Sequence, residues 1–199
     1  MSPHLDIDGL SADDVPHLEH AIRLAFAARE RGDHPFGAIL VTPDGRVVEG
    51  LNSVETDRDP TGHAETNLVR TAARALPPDV VAASTLYTST EPCAMCSGAI
   101  YWAVIPRVVY ALGSDELDRI VHDNDGEQEL ALPSREVFAR GDARHRSWAR
   151  CRSPAPPTCT PNSGTAEAPE SAGAASVGTR HTLETRRSTP RNLRALASV

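Results

Sequence analysis

Residues 84–112 read STLYTSTEPCAMCSGAIYWAVIPRVVYAL, and this stretch decides the fold. Residues 84–89 and 107–112 are short runs that favour β-strands, since β-branched and aromatic residues fit a pleated surface. Between them Pro92 suits the first position of a helix that continues over residues 93–103. A strand, a helix and a strand in that order predict a right-handed crossover, with the two strands paired in parallel.

Two more strands and two more helices are predicted upstream of this unit. Residues 37–41 and 46–54 are β-rich runs separated by the turn sequence Thr42-Pro43-Asp44-Gly45, which predicts a hairpin. A helical apolar pattern that Ser11 can cap runs as far as Gly32. A second helical pattern covers residues 63–76 and ends at two prolines. Alternating helices and strands of this kind predict an α/β protein.

Two short motifs carry the chemistry. His63-Ala64-Glu65 is followed about thirty residues later by Pro92-Cys93-Ala94-Met95-Cys96. One histidine and two cysteines can bind zinc with three protein ligands, and zinc bound in this way lowers the pKa of water toward neutrality. Glu65 can then act as a general base and a general acid. The joint pattern is typical of the zinc-dependent deaminases.

Each motif alone allows another interpretation. A lone C-x-x-C is also typical of a redox pair, and a lone His-x-Glu is also typical of a solvated helix face. Both motifs lie at predicted helix starts, where the positive end of the helix dipole favours thiolates. Their combination, with a proline before Cys93, favours zinc.

At these residues the chain resembles the cytidine deaminase-like superfamily, in the branch that holds bacterial guanine deaminases and tRNA adenosine deaminases. The resemblance covers about residues 12–122 and rests on residues 34–38 (HPFGA), Asn52, 59–65 (DPTGHAE), 90–96 (TEPCAMC) and 98–103 (GAIYWA). It implies a three-layer α/β/α sandwich with a mixed sheet of four to five strands. It also implies a homodimer.

The resemblance assigns roles to the motif residues. It implies that His63, Cys93 and Cys96 bind Zn²⁺ and that Glu65 is the catalytic proton shuttle.

The resemblance also implies a set of substrate contacts. On spacing alone, Asn52 is as consistent with a turn residue as with a substrate contact. By the same criterion, Phe36 and Trp102 are consistent with core residues. In the family, an asparagine at the position of Asn52 hydrogen-bonds the base, and the backbone at Ala64 faces the substrate. The aromatic side chains of Phe36 and Trp102 resemble those that flank a free purine in guanine deaminases.

Charge separates the chain into two parts. All twenty basic residues are arginines. Residues 1–142 hold eleven of them against twenty-four Asp and Glu, a net charge of −13, whereas residues 143–199 have a net charge of +6. Affinity for nucleic acid depends on Lys and Arg that neutralise phosphates. The acidic part therefore predicts a small-molecule partner and makes nucleic acid an unfavourable one. The resemblance implies that this small molecule is a purine base or nucleoside.

Length and composition predict one domain with additional chain. The 199 residues divide into a deaminase domain over residues 1–142 and a low-complexity, disordered tail over residues 143–199. The segment after Arg140 resembles no family ending, so we hypothesise a shift of reading frame near residues 141–144, which would remove the fifth strand. Residues 1–14 lack the features of a signal peptide, and no apolar run reaches membrane-spanning length. A cytoplasmic location is therefore predicted.

The leading functional prediction is hydrolytic deamination of guanine to xanthine and ammonia by a zinc enzyme. Deamination of adenosine in tRNA is the alternative. A third possibility, from another class, is a zinc-binding deaminase-like protein that has no activity.

Overall fold

The structure, a computed structural model, describes residues 10–121, 130–141 and 147–150. The helices are α1 (Asp14–Glu30), α2 (Val54–Asp57), α3 (Ala64–Ala75), α4 (Pro78–Val81), α5 (Ala94–Trp102), α6 (Ser114–Val121) and α7 (Ser134–Ala139). The strands are β1 (Gly37–Val41), β2 (Val47–Leu51), β3 (Thr85–Thr90), β4 (Arg107–Leu112) and β5 (Ser147–Arg150).

The strands form one mixed sheet in the order β2-β1-β3-β4-β5. The predicted hairpin is confirmed, since β1 and β2 are antiparallel and Gly37 lies opposite Leu51. β1 is also antiparallel to β3. The predicted crossover is confirmed as well, because β3 and β4 are parallel with Thr85 opposite Arg107.

The sheet extends past the predicted domain limit at residue 142. β5 pairs in parallel with β4, with Ser147 opposite Arg107 and Arg150 opposite Tyr110. The predicted sheet of four to five strands therefore has five, and the fifth strand, whose loss the hypothesised frame shift implied, is present. The composition of this segment did not reveal the strand, because main-chain hydrogen bonds to a neighbouring strand need no apolar pattern. Residues 143–146 and 151–199, the rest of the predicted tail, lie outside the described residues.

Helices cover both faces of the sheet. Side chains alternate along β1, so that Ile39 belongs to a core under α1 while Ala38 and Leu40 belong to a core on the other face. The first core contains Leu18, Leu24, Tyr87 and Val109. The second contains residues of α3, α5 and α7, among them Leu68, Ile100 and Phe138. The predicted three-layer α/β/α sandwich is confirmed.

Gly50 allows α3 to lie directly on β2. A Cβ atom at this position would lie 2.4 Å from the carbonyl oxygen of Ala64 and 2.6 Å from Cβ of Leu68. Any larger residue would therefore displace the first turn of α3. This first turn follows His63, so the absence of a side chain at residue 50 helps to place a predicted zinc ligand.

A buried ion pair anchors the start of α1. Asp14 is 2% exposed, and its carboxylate accepts two hydrogen bonds of 2.8 Å from the Arg107 guanidinium and one of 2.8 Å from the Tyr87 hydroxyl. It also accepts one from the Ser11 N–H at 2.7 Å. The predicted helix cap is thus corrected, because α1 begins at Asp14 and the Ser11 side chain does not cap it.

These contacts shift the pKa values of the cluster. Burial raises the pKa of the Asp14 carboxyl, but the hydrogen bonds from Arg107, Ser11 and Tyr87 outweigh it and hold that pKa well below its usual range. Burial and the bond to Asp14 raise the pKa of Tyr87 to about 12. The cluster therefore keeps a fixed charge state at neutral pH.

Within the described residues, no helix has the length and apolar character needed to cross a membrane.

Candidate metal centre and catalytic site

Two helix starts bring the predicted zinc ligands together. His63 is the residue that precedes α3, and Cys93 is the residue that precedes α5; both have extended backbone conformations. β3 ends at Thr90, so the chain needs only two residues, Glu91 and Pro92, to pass from the sheet to Cys93.

The three predicted ligands form one cluster. The ligand atoms of His63, Cys93 and Cys96 lie within 4.8 Å of one another. His63 Nδ1 is 3.6 Å from Cys93 Sγ. Ordinary zinc–nitrogen and zinc–sulfur bond lengths at a tetrahedral ion place the two atoms about 3.5 Å apart. One imidazole and two thiolates with this spacing fit a zinc ion.

The thiols are poised for metal binding. A hydrogen bond from Cys96, opposed by burial and assisted by His63, lowers the pKa of Cys93 to about 4. Cys93 is therefore a thiolate at neutral pH, the form in which cysteine binds zinc. The pKa of Cys96 is raised by its hydrogen bond with Cys93 and by burial. A divalent ion favours release of the Cys96 proton as well.

Thr66 supports the buried thiol. Its hydroxyl oxygen lies 3.4 Å from Cys96 Sγ, and both residues are buried. A hydrogen bond to a metal ligand from a residue that does not itself bind the metal fixes the orientation of that ligand and contributes to metal affinity. The sequence did not identify Thr66, although its position three residues after His63 puts it on the first turns of α3.

Glu65 lies beside the ligands but is enclosed by protein. It is 5% exposed. Burial raises the pKa of the Glu65 carboxyl, and the nearby Cys93 adds to this, while hydrogen bonds and His63 act in the opposite direction. A raised pKa makes the Glu65 carboxyl a stronger proton acceptor than an ordinary glutamate, which suits a general acid and base.

Thr88 gives Glu65 a hydrogen-bond partner in both protonation states. Its hydroxyl lies 2.8 Å from Glu65 Oε1 and 3.4 Å from the carbonyl oxygen of Gly37. When Glu65 is ionised, Thr88 can donate to it. When Glu65 carries a proton, Thr88 can accept that proton's hydrogen bond and turn its own toward Gly37. Strand alternation in β3 points Thr88 away from α1 and toward α3, a signal that the sequence contained.

Asn52 is held with one donor free. It is fully buried and follows β2, and its N–H donates to the Phe36 carbonyl oxygen at 3.1 Å. Its Oδ1 accepts the Val54 N–H at 3.1 Å, which fixes which side of the carboxamide is oxygen. Among the described residues, Asn52 Nδ2 is the one buried side-chain nitrogen or oxygen without a hydrogen-bond partner. A buried unsatisfied donor is costly, so its retention points to a ligand.

Asn52 also adjoins the metal cluster. The next residue, Ser53, donates its N–H to the Gly62 carbonyl oxygen at 2.8 Å, and Gly62 precedes His63. Phe36 lies beside Asn52 at the same end of the hairpin and packs against the core under α3. Ala64 is the first residue of α3, where N–H groups have no partner within the helix.

Trp102 differs from the other predicted contacts. It is the last residue of α5, about 12 Å along the helix axis from Ala94 at 1.5 Å per residue. It is 82% exposed, and its ring has an edge-on contact with Tyr101. The described chain does not bring Trp102 to the metal cluster.

The Glu91 carboxylate connects the segment between β3 and Cys93 to two later helices. One of its oxygens accepts the N–H and hydroxyl of Ser114, both at 3.0 Å. The other accepts the N–H and hydroxyl of Ser134, at 3.0 and 2.7 Å. These serines are the first residues of α6 and α7. Glu91, which lies two residues before Cys93, therefore fixes both helix starts. The sequence did not identify this role, because the partners lie far along the chain.

Comparison with known families agrees with this geometry. The cytidine and deoxycytidylate deaminase zinc-binding region matches residues 11–112, about half of the chain, and this match contains all three ligands and Glu65. The chain therefore belongs to the cytidine and deoxycytidylate deaminase family. The zinc centre predicted at His63, Cys93 and Cys96 is confirmed as a metal-binding cluster of this deaminase family.

Deaminases named for different substrates resemble the chain. A probable cytosine deaminase of Schizosaccharomyces pombe is 38% identical over 136 residues, which cover 68% of this chain and 82% of that protein. A guanine deaminase of Bacillus subtilis is 44% identical over 95 residues, which cover 47% of this chain and 61% of that protein. A solved structure from work on A-to-I editing by tRNA:A34 deaminases is 30% identical with a TM-score of 0.51, and the match covers 70% of this chain and 98% of that one. The chain is thus a zinc-type deaminase of this family.

Proposed function

We propose that this chain hydrolyses the exocyclic amine of a free purine base, guanine first, to give xanthine and ammonia. The observation that carries the proposal is the Asn52 carboxamide, buried beside the metal cluster with its Nδ2 donor unpaired. A ring nitrogen or carbonyl oxygen of a base would complete its hydrogen bonding. The likeness to the Bacillus subtilis guanine deaminase supports the choice of guanine.

The metal ligands and Glu65 have different roles in the proposed reaction. Zinc, when held by His63, Cys93 and Cys96, supplies a Lewis acid that lowers the pKa of water. Glu65 takes a proton from water and delivers protons to the ring nitrogen and to the departing ammonia.

Other contacts orient the base. In this proposal Asn52 orients the base in the plane of the ring, and Phe36 packs against it. The first-turn N–H of Ala64 offers a further donor.

A second candidate is deamination of adenosine in tRNA. The match that covers 98% of the tRNA:A34 deaminase structure favours it. Against it, residues 1–142 have a net charge of −13, and an acidic surface opposes a phosphate backbone. Cytosine enters the same test because of the probable cytosine deaminase relative.

Ammonia release decides among these candidates. Zinc-loaded protein is assayed with guanine, cytosine, adenine and a tRNA substrate, with Glu65→Ala as the control at each step. We expect release from guanine, and none from the control. Release from cytosine alone, or inosine formation in tRNA, would replace guanine by that substrate. No release from any of them would favour the zinc-binding protein without activity.

We also propose a homodimer. α5 exposes Trp102 and leaves Met95 38% exposed on the same side of the helix, a surface that association would cover. Light scattering after gel filtration tests this: wild type should have twice the chain mass, and Trp102→Ser should shift it toward the monomer. A monomeric wild type would reject the dimer without affecting the proposed chemistry.

A cytoplasmic location remains part of the proposal. Cys93 and Cys96 are free thiols, and a reducing compartment keeps them available for zinc.

A further inference from the structure

A buried carboxylate outside the metal cluster holds the segment that carries Asn52. The side chain of Asp33 is fully buried, and its hydrogen bonds include none to the zinc ligands or to Glu65. Its Oδ1 accepts the N–H groups of Glu55 and Thr56 at 3.1 and 3.0 Å, and the Thr56 hydroxyl lies 3.1 and 3.0 Å from its two oxygens. Asp33 therefore fixes α2, the turn that directly follows Asn52 and Ser53.

The second oxygen of Asp33 reaches Asn52 through an arginine. Asp33 Oδ2 accepts a hydrogen bond of 3.1 Å from Arg31 Nη2. The same Arg31 nitrogen donates at 2.7 Å to the backbone carbonyl oxygen of Asn52. Arg31 thus connects the buried carboxylate to the main chain of the residue that offers the unpaired donor.

Asn52 is consequently held from two sides. Arg31 holds its carbonyl oxygen, and Val54, at the start of the turn that Asp33 fixes, holds its Oδ1. Only Nδ2 has no hydrogen-bond partner. A hydrogen bond to a ligand needs its donor placed within a few tenths of an ångström, so the groups that fix Asn52 control how well it can bind the base.

We infer that Asp33, acting through Arg31 and α2, is a positioning residue that presets the Asn52 carboxamide for recognition of the base. This inference rests on the proposed role of Asn52 in substrate binding. Asp33 itself does not touch the substrate. Its loss changes how tightly the base is bound, and leaves the zinc centre and Glu65 in place.

Asp33→Asn tests the arginine connection selectively. The amide oxygen of asparagine can still accept the N–H groups of α2, but its NH₂ then faces Arg31 Nη2, and two donors cannot bond to each other. Asp44→Asn is the matched control. Asp44 also pairs with an arginine two residues away, Arg46 at 2.8 Å, but at the turn of the hairpin, the end opposite Asn52.

Steady-state kinetics with the base that the wild type deaminates form the first test. Asp33→Asn should raise KM about tenfold and change kcat less than threefold, because it weakens a contact made in both the ground and transition states. Asp44→Asn should change neither. The double variant Asp33→Asn, Asn52→Ala should be no worse than Asn52→Ala alone. If the two losses multiply, or if Asp33→Asn lowers kcat with an unchanged KM, the inference is overturned.

A second readout does not depend on activity. The side-chain amide signal of Asn52 in ¹⁵N NMR spectra of the zinc-loaded protein can be assigned from its absence in Asn52→Ala. Asp33→Asn should shift or broaden this signal, while Asp44→Asn leaves it unchanged. An unchanged Asn52 signal in Asp33→Asn would overturn the inference even if no base is turned over, and a wild type without turnover would reject only the proposed function.

Discussion

Two buried carboxylates lie on opposite faces of the same sheet and have opposite chemistry. Asp14 is 2% exposed and Glu65 is 5% exposed, so both carboxylates are shielded from solvent. Asp14 faces the Arg107 guanidinium and has a lowered pKa, whereas Glu65 has a hydroxyl partner, Thr88, and a raised pKa. At Asp14 the hydrogen bonds from Arg107, Ser11 and Tyr87 outweigh the cost of burial, whereas at Glu65 burial outweighs the hydrogen bond from Thr88. This difference separates a structural ion from a carboxyl that can move protons.

The largest difference between the two faces should appear when a zinc ligand is removed. Cys96→Ser replaces a buried thiol of the metal cluster, so we expect loss of bound zinc and a loss of ammonia release of about 1000-fold or more. Elemental analysis and the ammonia assay measure both quantities. Asp14→Asn serves as the comparison and should retain one zinc per chain; retention of zinc by Cys96→Ser would mean that the cluster is assigned wrongly.

Asp14→Asn should affect stability instead of chemistry. It leaves the Arg107 guanidinium without its carboxylate, which costs about 3 kcal/mol of unfolding free energy, the low end for such pairs because a quarter of the Arg107 side chain is exposed. Urea unfolding measures the loss. The kcat of the folded, zinc-loaded variant should stay within about twofold of wild type. A large fall in kcat with unchanged stability would contradict the division between the faces.

The same ion pair should make stability depend on acid pH. The pKa of Asp14 is lower in the folded chain than in the unfolded chain, where it is about 3.9. Its contribution is therefore fully present above about pH 5 and is lost as the pH falls toward the folded value. The difference in unfolding free energy between wild type and Asp14→Asn should be constant from about pH 5 to 7 and should shrink below about pH 4. A difference that grows as the pH falls would have the wrong sign.

Thr88→Val should produce the smallest effect, and it should affect the reaction rate and not the Asp14 ion pair on the other face of the sheet. It keeps the shape of the side chain but removes the hydroxyl that serves Glu65 in both protonation states. We expect kcat to fall about tenfold and zinc content to stay the same. Thr88→Ser retains the hydroxyl and should recover most of the rate. Equal losses in both variants would point to packing, and not to the hydrogen bond.

The sequence was sufficient for the parts of the molecule that depend on local pattern. The hairpin, the parallel crossover and the helix starts at His63 and Cys93 follow from turn residues, strand composition and proline. The zinc ligands and Glu65 followed from their spacing, because residue type and spacing largely determine such a site.

The sequence was insufficient wherever the partner lies far along the chain. Arg107 meets Asp14 across 93 residues, and Ser134 meets Glu91 across 43. No periodic pattern encodes such pairs. β5 was missed because main-chain pairing needs no apolar signature. The contact of Trp102 with the base stays a prediction from the family resemblance, since within the described chain Trp102 is the exposed last residue of α5.

Proton transfer by Glu65 is the central step of the proposed reaction. Zinc-loaded wild type and Glu65→Gln are compared for ammonia release from guanine, with zinc content measured on the same samples. We predict one zinc per chain in both proteins and a rate that is lower by about 100-fold to 10,000-fold in Glu65→Gln, since proton transfer by a positioned carboxyl contributes that much. Ammonia release by Glu65→Gln at a rate close to that of wild type, with zinc in place, would contradict the account.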